Sequence, residues 1–464
     1  MNTTTRTADA HAWTTPPPRE VLRLLREKRD AGWDELVQTY GKTFTYQGML
    51  ATCEPELVHR ILLHRPHTVE RSKIYKLFGL LPGAAGLVFT DGEAWRRRLG
   101  AIQPILQPQK LAGQAPVIHR LATRYADALE ARGAFTDLYR VCNDLGVRIF
   151  MEIGCGLDTQ SPRALAMGRE LIEFKTRTMR TRFRTDEFGF SPVHLLRLPI
   201  VYVLMARSRA RVHRSVQEII ARPGEIDHGR PNWFDRLKDA GFGPSEIADD
   251  INSLFGAFDT TDFFMTCALF ELGRRPEWRE RLRAELRSVR KEGSSVGPAD
   301  LAALPDTMGF MKEVLRLYPA LMVVLRRTGE PMEVRGRVFP AGTEVVLMIR
   351  ALHTHPDLWD APLAFDPERW RRPPCPRVEF SYVPFLEGPR QCYGRHLAEL
   401  YWAGIIAVYL ERFDLTVDDR DVRMNPYMIA RFDRPISGHV RPLRAAASHQ
   451  SVPSTGASAI LPGH

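Results

Sequence analysis

The sequence has no hydrophobic run long enough to cross a membrane. The longest candidate, "LPIVYVLMA" at 198–206, has nine residues and is flanked by Arg197 and Arg207, whereas a membrane span needs about 20. The N-terminal residues also lack the basic-then-apolar order of a signal peptide. We therefore predict a cytoplasmic protein with no membrane span.

Cysteines are few, and none are arranged in pairs. The 464 residues include six cysteines without a C-x-x-C spacing, which argues against a disulfide framework. The net charge of +10 is compatible with nucleic acid, but zinc-finger spacing, RNP-type motifs and lysine-rich arms are all missing. We predict no nucleic-acid partner, because the excess arginine is scattered along the chain.

Glycine/serine linkers and internal repeats are also missing. Length alone would allow about two or three domains, but without a linker one domain over residues 19–444 fits best. The segments 1–18 and 445–464 are polar and contain proline, so we expect disordered tails. Strand-like pieces are short, as in "KTFTYQGML" and "MEVRGRVFPAGTEVVLM". The fold class is therefore mostly α with small β-sheets (α+β).

The strongest helical pattern begins near Pro244 and Ser245 and continues for about 29 residues, or roughly 43 Å. Ser245 is a plausible N-cap, with acidic residues in the first turn. Apolar residues recur at helical spacing; they include Ile247, Ile251, Leu254, Phe255, Phe258 and Leu269. Pro276 then opens a second, highly charged helix.

Cys392 stands in an unusual stretch, "FLEGPRQCYG". Gly388 and Gly394 allow tight turns, and Arg390 and a following helix favour a thiolate that can bind a metal. A lone cysteine is more often a small buried hydrophobe. We keep that interpretation for the other cysteines, which are Cys53, Cys142, Cys155, Cys267 and Cys375.

This stretch resembles the haem-binding loop of the cytochrome P-450 family, Phe-x-x-Gly-x-Arg-x-Cys-x-Gly. The resemblance implies a large helical domain that holds haem b (iron protoporphyrin IX) between a long central helix and the cysteine loop. Cys392 would be the axial thiolate ligand of the iron. Phe385, Arg390 and Gly394 would be cofactor-binding residues.

A second motif, "KEVLRLYP", carries Glu313 and Arg316 three residues apart on one helix face. An exposed ion pair would contribute little, but apolar neighbours predict a buried pair that needs further partners. Arg369 of "FDPERW" is one such partner. The set resembles the family's structural triad, with Trp370 in place of a phenylalanine.

The long helix contains "GAFDTT" at 256–261. Taken alone, this is either a locally polar helix face or a functional break in the core pattern. It resembles the family's oxygen-activation motif, in which Asp259 and Thr260 would relay protons. Ala257 stands where the family has its second glycine.

The resemblance also implies cations for the haem propionates. Trp95 fits the family's Trp-x-x-x-Arg helix, but Leu99 stands at the arginine position, so we expect Arg98 to substitute. Arg326 and Arg390 would be the other two cations.

By family position, the substrate pocket would be apolar and draw on the stretch 77–89 and three later segments. For each residue, plain core packing is the alternative. The predicted residues are Leu87, Val88, Phe255, Gly256, Phe258, Val323, Val324 and Ile429.

The resemblance implies a monooxygenase that uses O2 to hydroxylate or epoxidise a hydrophobic small molecule, in specialised metabolism. Electrons would come from an acidic ferredoxin or flavodoxin with its NAD(P)H reductase, because no flavin or iron–sulfur segment is fused to the chain. The alternatives are oxidative cyclisation, phenol coupling, desaturation or isomerisation on the same fold, and a non-enzymatic haem sensor. An acidic partner would meet Arg96, Arg97, Arg395 and His396.

Overall fold

The fold is taken from a computed structural model that describes residues 13–63, 69–70, 72, 85–185, 192–375, 378–418, 421–426 and 428–443. Within these ranges, the side chains of 69–70, 177–198 and 201 are not described. Helices dominate and the sheets are small, which confirms the predicted fold class.

The α-helices in the described ranges are α1 (Pro18–Lys28), α2 (Ala31–Tyr40), α3 (Pro55–Leu63), α4 (Gly92–Ile102), α5 (Pro108–Leu111), α6 (Ala115–Arg132), α7 (Leu138–Ile149), α8 (Pro162–Thr185), α9 (Pro192–Ile220), α10 (Trp233–Asp239), α11 (Pro244–Arg274), α12 (Pro276–Val289), α13 (Pro305–Leu317), α14 (Ile349–Thr354) and α15 (Arg395–Arg412). The strands are β1 (Thr43–Tyr46), β2 (Met49–Thr52), β3 (Val69–Glu70), β4 (Ala134–Phe135), β5 (Val324–Thr328), β6 (Met332–Val334), β7 (Arg337–Phe339), β8 (Glu344–Leu347), β9 (Phe413–Val417) and β10 (Gly438–Pro442).

The long helix α11 has 31 residues, which makes it about 46 Å long. Its start differs from the prediction. Gly243 is the N-cap, its backbone N–H donates to Glu246 Oε2 at 3.1 Å, and Pro244 occupies the first helical position. Ser245 therefore lies inside the first turn, because proline is well tolerated at the first position and the N-cap is two residues earlier than predicted.

The strands form three small sheets. The largest has the order β1-β2-β8-β5-β3, in which β2 and β8 are parallel and the other pairs antiparallel. The predicted strand-like pieces are strands: "KTFTYQGML" supplies β1 and β2, and Arg335 and Gly336 turn the chain between β6 and β7. Together, β5 and β8 place the segment 320–328 beside the core helices.

The N-terminal boundary lies earlier than expected. Thr14 donates to the Tyr40 carbonyl at 2.7 Å, and the Trp13 ring meets Phe339 edge to face at 5.1 Å. Residues 13–18, assigned to the tail from sequence, thus pack on the folded domain. The other predicted tail residues, 1–12 and 445–464, lie outside the described residues.

Helix α9 carries an apolar surface. Ile200, Tyr202, Val203 and Leu204 are all exposed on it. Among the described helices, none combines the length and apolar character that a membrane crossing requires.

Candidate functional site

The loop before α15 brings Cys392 to an accessible position. The Cys392 backbone N–H donates to the Phe385 carbonyl at 2.8 Å and closes the loop. Gly388 has a φ of +70°, and a Cβ there would overlap the carbonyl oxygen of Leu62 on α3. The sequence folds this way because only glycine permits both the left-handed backbone and this close approach.

The same loop has a second attachment to α3. The His59 ring is 2.6 Å from Glu387 Oε2 through Nδ1, and it stacks on Phe380 with centroids 3.6 Å apart. Both His59 and Glu387 are partly exposed. The cysteine loop is therefore fixed to α3 by a steric contact and by a polar contact.

The electrostatics of Cys392 differ from the sequence expectation. Burial raises the pKa of its thiol above the ordinary value, against the smaller lowering effects of the Gly394 backbone N–H and Arg395. Although Cys392 is an exposed residue, desolvation of its sulfur outweighs the nearby positive groups. A coordinated metal cation deprotonates such a thiol directly.

Helix α11 has an unusual open face midway along its length. Gly256, Phe258 and Thr260 are partly exposed and Ala257 is exposed, whereas the neighbouring residues 247–255, Asp259 and 261–272 are buried. A Cβ on Gly256 would meet nothing within 4 Å. The Thr260 hydroxyl donates to the Ala257 carbonyl at 2.8 Å, so polar atoms line this face.

Two elements connect this open face to the cysteine loop. Trp402 of α15 stacks on Phe385 with centroids 6.1 Å apart, and its indole N–H donates to the Thr261 carbonyl of α11 at 3.2 Å. On the other side, the Arg390 guanidinium lies 3.9 Å from the centre of the Trp95 ring on α4. Trp402 therefore connects the cysteine loop to the middle of α11, and Arg390 connects the loop to α4.

Arg390 and Arg326 were both predicted to bind propionates, and each donates to a backbone carbonyl. Arg390 stacks on Trp95, donates to the Thr90 carbonyl at 3.2 Å and pairs with Asp91 at 2.5 Å. Arg326 is on β5 and donates to the Leu325 carbonyl at 3.0 Å.

Arg98 is placed differently. Its Nε is 3.1 Å from Asp250 Oδ2 on α11, and its Nη2 is 3.6 Å from Glu246 Oε1. Successive helix residues point about 100° apart, so a shift of one residue from position 99 turns the side chain towards the N-terminal half of α11. We therefore leave Arg98 out of the proposed propionate contacts.

Asp259 and Thr260 face different surroundings. The Asp259 side chain is 1% exposed, pairs with Lys175 at 2.8 Å and with Arg431, and accepts a hydrogen bond from the Tyr139 hydroxyl. Sequence reasoning missed these three partners, which come from distant segments and carry no local motif. Only Thr260 is on the open face in this conformation.

Glu313, Arg316 and Arg369 lie together in the core. Glu313 and Arg316 are fully buried and joined by two hydrogen bonds of 2.7 and 3.0 Å, and Arg369 Nε reaches Glu313 at 3.0 Å. Trp370 adds an indole N–H to Glu313 at 3.1 Å, and the Asp366 backbone N–H adds another at 2.9 Å. The carboxylate is thus fully surrounded by donors, as a buried charge requires.

This cluster connects to the approach to the cysteine loop. Arg316 donates to the His353 carbonyl at 2.9 Å, and His353 Nε2 accepts the Val383 N–H at 3.0 Å. Burial, followed by Arg316 and Arg350, lowers the pKa of His353 to about 3. A neutral imidazole therefore accepts the backbone hydrogen bond that positions residues 381–385.

Five of the predicted pocket residues lie on three segments of the fold. Leu87 and Val88 lie beside α11, Val323 and Val324 are buried at the start of β5, and Ile429 forms an isolated bridge with Leu321. Residues 77–84 lie outside the described part of the chain.

The two phenylalanines pack on Phe150, although Phe258 is partly exposed. The Phe255 ring packs edge to face on Phe150 at 5.2 Å, and the Phe258 ring packs on Phe150 and Tyr401 at 5.7 and 5.6 Å. Positions 255 and 258 are three residues apart, which is nearly one turn, so both rings lie towards Phe150 on one side of α11. We leave both out of the proposed pocket.

A flat, anionic, metal-containing group fits these residues. Cys392 offers a sulfur ligand, Arg390 offers a bidentate partner for a carboxylate, and the bare Gly256–Ala257 face of α11 leaves room that side chains do not fill. The fold and the site together define a protein of the haem-thiolate class.

Comparisons with known proteins agree. Residues 237–436 match the family model for cytochrome P450. A crystal structure of a six-coordinated cytochrome P450 from Thermus thermophilus aligns with a TM-score of 0.67 at 21% identity, over 89% of this chain and 98% of that one. By the match over residues 237–436 and by its fold, the chain is similar to the cytochrome P450 family, whose members bind haem through a cysteine thiolate.

The relatives differ in sequence identity and in the share of each chain that aligns. Cytochrome P450 734A5 from Oryza sativa subsp. japonica is 26% identical over 86% of this chain and 78% of its own. The human ultra-long-chain fatty acid omega-hydroxylase is 35% identical over 41% of this chain and 37% of its own. The chain covers only 33–37% of the length of several relatives that are 32–36% identical.

Proposed function

We propose that this protein is a haem-thiolate monooxygenase that uses O2 and externally supplied electrons to hydroxylate or epoxidise a hydrophobic small molecule. The observation that carries the proposal is the exposed Cys392 in a loop that Trp402 connects to the partly open middle of α11. Bound haem supplies the oxygen chemistry, and the thiolate increases its electron density.

The chain's own residues have separate roles in this proposal. Cys392 is the axial ligand, Gly394 keeps the loop open at the sulfur, and Phe385 and Trp95 pack beside the haem. Arg390 and Arg326 bind the propionates. Leu87, Val88, Val323, Val324 and Ile429 exclude water from the substrate, together with Gly256.

Thr260 and Asp259 move protons in this proposal. The Thr260 hydroxyl is on the open face and holds a proton there. Asp259 is one residue behind it and must release a cation partner to exchange protons with that face, because both carboxylate oxygens are occupied. Lys175, at 2.8 Å, is itself a proton-bearing group.

The test of the haem-thiolate assignment is the spectrum of the reduced protein with carbon monoxide. We expect the red-shifted Soret band of a haem-thiolate, and we expect Cys392→Ala to abolish it. Cys375→Ala is a matched control, because Cys375 is partly exposed but lies outside the loop. A red-shifted band retained in Cys392→Ala would disprove the ligand assignment.

The test of the reaction uses a ligand library that begins with ultra-long-chain fatty acids, the class printed in the name of the human relative. Binders are identified by a low-spin to high-spin shift of ferric haem and then incubated with O2, NADPH and a reconstituted ferredoxin system. A product with one additional oxygen atom supports the proposal. Products that only lose hydrogen would favour the alternative oxidative chemistries.

We further propose a cytoplasmic location, a role in specialised metabolism and an acidic ferredoxin or flavodoxin as electron donor. Arg96, Arg97, Arg395 and His396 are exposed on α4 and α15, near the cysteine loop. Charge reversal at Arg96 should slow electron transfer and weaken its dependence on salt. Unchanged transfer rates would remove this face from the docking surface.

A further inference from the structure

We infer that Asp250, Ser253 and Arg98 form a clasp that fixes the loop 85–90 to α11 and so sets the position of the pocket wall at Leu87 and Val88. The inference rests on the proposed function, because it takes the space beside Leu87 and Val88 to be the substrate pocket. It makes the three clasp residues positioning residues for substrate selection.

Two backbone groups of the loop are bound by side chains of the helix. The Leu87 N–H donates to Asp250 Oδ1 at 2.8 Å, and the Val88 N–H donates to Ser253 Oγ at 3.1 Å. Asp250 is fully buried and Leu87 is 8% exposed. A buried N–H that loses its acceptor is costly, so these two bonds determine where the loop lies.

Gly86 makes the attachment tight. Its φ is +89°, and a Cβ there would lie 2.7 Å from the Asp249 carbonyl oxygen and 2.8 Å from Ser253 Cβ. The loop backbone therefore touches the helix backbone directly. A side chain at this position would push the loop away from α11.

Arg98 neutralises the clasp. Its Nε pairs with the second oxygen of Asp250 at 3.1 Å, so the carboxylate accepts from the loop with Oδ1 and from α4 with Oδ2. Burial raises the pKa of Asp250 to about 6, and Arg98 acts in the opposite direction. The arginine keeps a buried carboxylate charged and able to accept both bonds.

The clasp borders the open face of α11. Ser253 and Gly256 are three residues apart and share a helix face, and Gly256 has open space beside it. Val88, bound to Ser253, therefore lies next to that space. A change in the clasp moves the wall that a large ligand meets, while the sulfur side of the site is unaffected.

The experiment compares Asp250→Leu, Asp250→Asn and Ser253→Ala with the control Ser288→Ala, whose exposed hydroxyl donates to the Glu285 carbonyl on the neighbouring helix α12. Deuterium uptake is measured for the peptide spanning 85–90. We expect at least about tenfold faster exchange in Asp250→Leu, a smaller rise in Ser253→Ala, near-complete retention in Asp250→Asn, and no change in the control. Unchanged exchange in Asp250→Leu would overturn the clasp.

A second measurement connects the clasp to the pocket. Imidazole binds haem iron without reaching the wall, whereas 4-phenylimidazole carries a ring into the pocket. We expect Asp250→Leu to weaken 4-phenylimidazole about tenfold, which is about 1.4 kcal/mol, and to leave imidazole unchanged. Faster exchange with unchanged affinity for both ligands would overturn the assignment of the wall to the pocket.

Arg98 is tested by a double-mutant cycle. If Arg98 serves only Asp250, Arg98→Leu accelerates loop exchange in the wild-type background and has little effect in Asp250→Asn. If instead it binds a propionate, Arg98→Leu lowers haem retention in both backgrounds, and that result would overturn its place in the clasp.

The two proposals can fail separately. Absence of a haem spectrum in the wild-type protein would refute the proposed function, and the deuterium uptake would still test the clasp. A normal haem spectrum with unaltered uptake would refute the clasp alone.

Discussion

The cluster around Glu313 gives the most quantitative prediction. Arg369 is 8% exposed, and its guanidinium reaches Glu313 at 3.0 Å and the Asp360 carbonyl at 2.9 Å. Arg369→Met keeps most of the side-chain volume and removes the charge. Breaking a buried pair costs about 3–5 kcal/mol. We expect the lower end, about 3 kcal/mol, because Arg316 still pairs with the carboxylate.

Trp370→Phe tests a single bond of the same cluster. It removes only the indole N–H at 3.1 Å from Glu313, and four donor contacts to the carboxylate remain. We expect a loss of about 1–1.5 kcal/mol. The control is Arg371→Met, since Arg371 pairs with Asp306 at 3.0 Å but is 46% exposed, and such pairs contribute less than about 1 kcal/mol.

The assay is urea unfolding of the holoprotein, followed by the Soret band and by far-ultraviolet circular dichroism. The expected order of destabilisation is Arg369→Met, then Trp370→Phe, then Arg371→Met. If Arg369→Met is no more destabilising than Arg371→Met, the cluster does not support the fold as described. If the Soret and circular dichroism transitions coincide, unfolding is two-state and the free energies of unfolding can be compared.

Further predictions concern the site and its support. Thr260→Ala should allow NADPH oxidation to continue but give roughly tenfold less product per NADPH. Asp259→Asn should slow both NADPH oxidation and product formation. The measurements are the two rates and their ratio. Because His353 is neutral in the fold, with a pKa of about 3, while the unfolded imidazole titrates near 6.5, stability should fall as pH decreases below about 6.5. The slope from this group approaches about 1.4 kcal/mol per pH unit, and urea unfolding of His353→Gln should show a flatter dependence between about pH 7 and 5. His59→Leu removes the contact with Glu387 and should increase the fraction of reduced carbon monoxide complex that loses its red-shifted band, whereas an unchanged fraction would show that Gly388 alone fixes the loop.

The sequence predicted the elements that depend on short-range patterns. The cysteine loop, the α11 helix and the Glu313–Arg316 spacing are each encoded within a few dozen residues, and their apolar periodicity or turn residues carry the signal. Arg369 was found as well, since the apolar surroundings of Glu313 and Arg316 demanded a further partner.

Contacts between distant segments were beyond the reach of local patterns. Lys175 and Arg431 meet Asp259 from helix α8 and from a loop near the C-terminus, and neither stands in a motif. The orientation of Arg98 also depends on Asp250, which is 152 residues away. Asp250 did carry a signal, because it is three residues after Ile247 and four before Leu254, on the apolar stripe of α11.

The two phenylalanines of α11 show a different difficulty. Phe255 and Phe258 were predicted by family position to line the pocket. Their rings pack around Phe150, and family position does not reveal that contact. An apolar residue near a site has the same composition signal whichever side of the helix it points to.

Gly86 and Asp250 limit the exchange of the loop 85–90 between this protein and its relatives. A loop of similar length from another protein would bring its own side chains to positions 87 and 88, but it would retain its position only on a helix that offers an acceptor at 250 and a hydroxyl at 253. Chimeras that exchange residues 85–90 alone should therefore inherit neither the donor's selectivity nor the recipient's. The smallest exchangeable unit is the loop together with the first three turns of α11 and the arginine at 98.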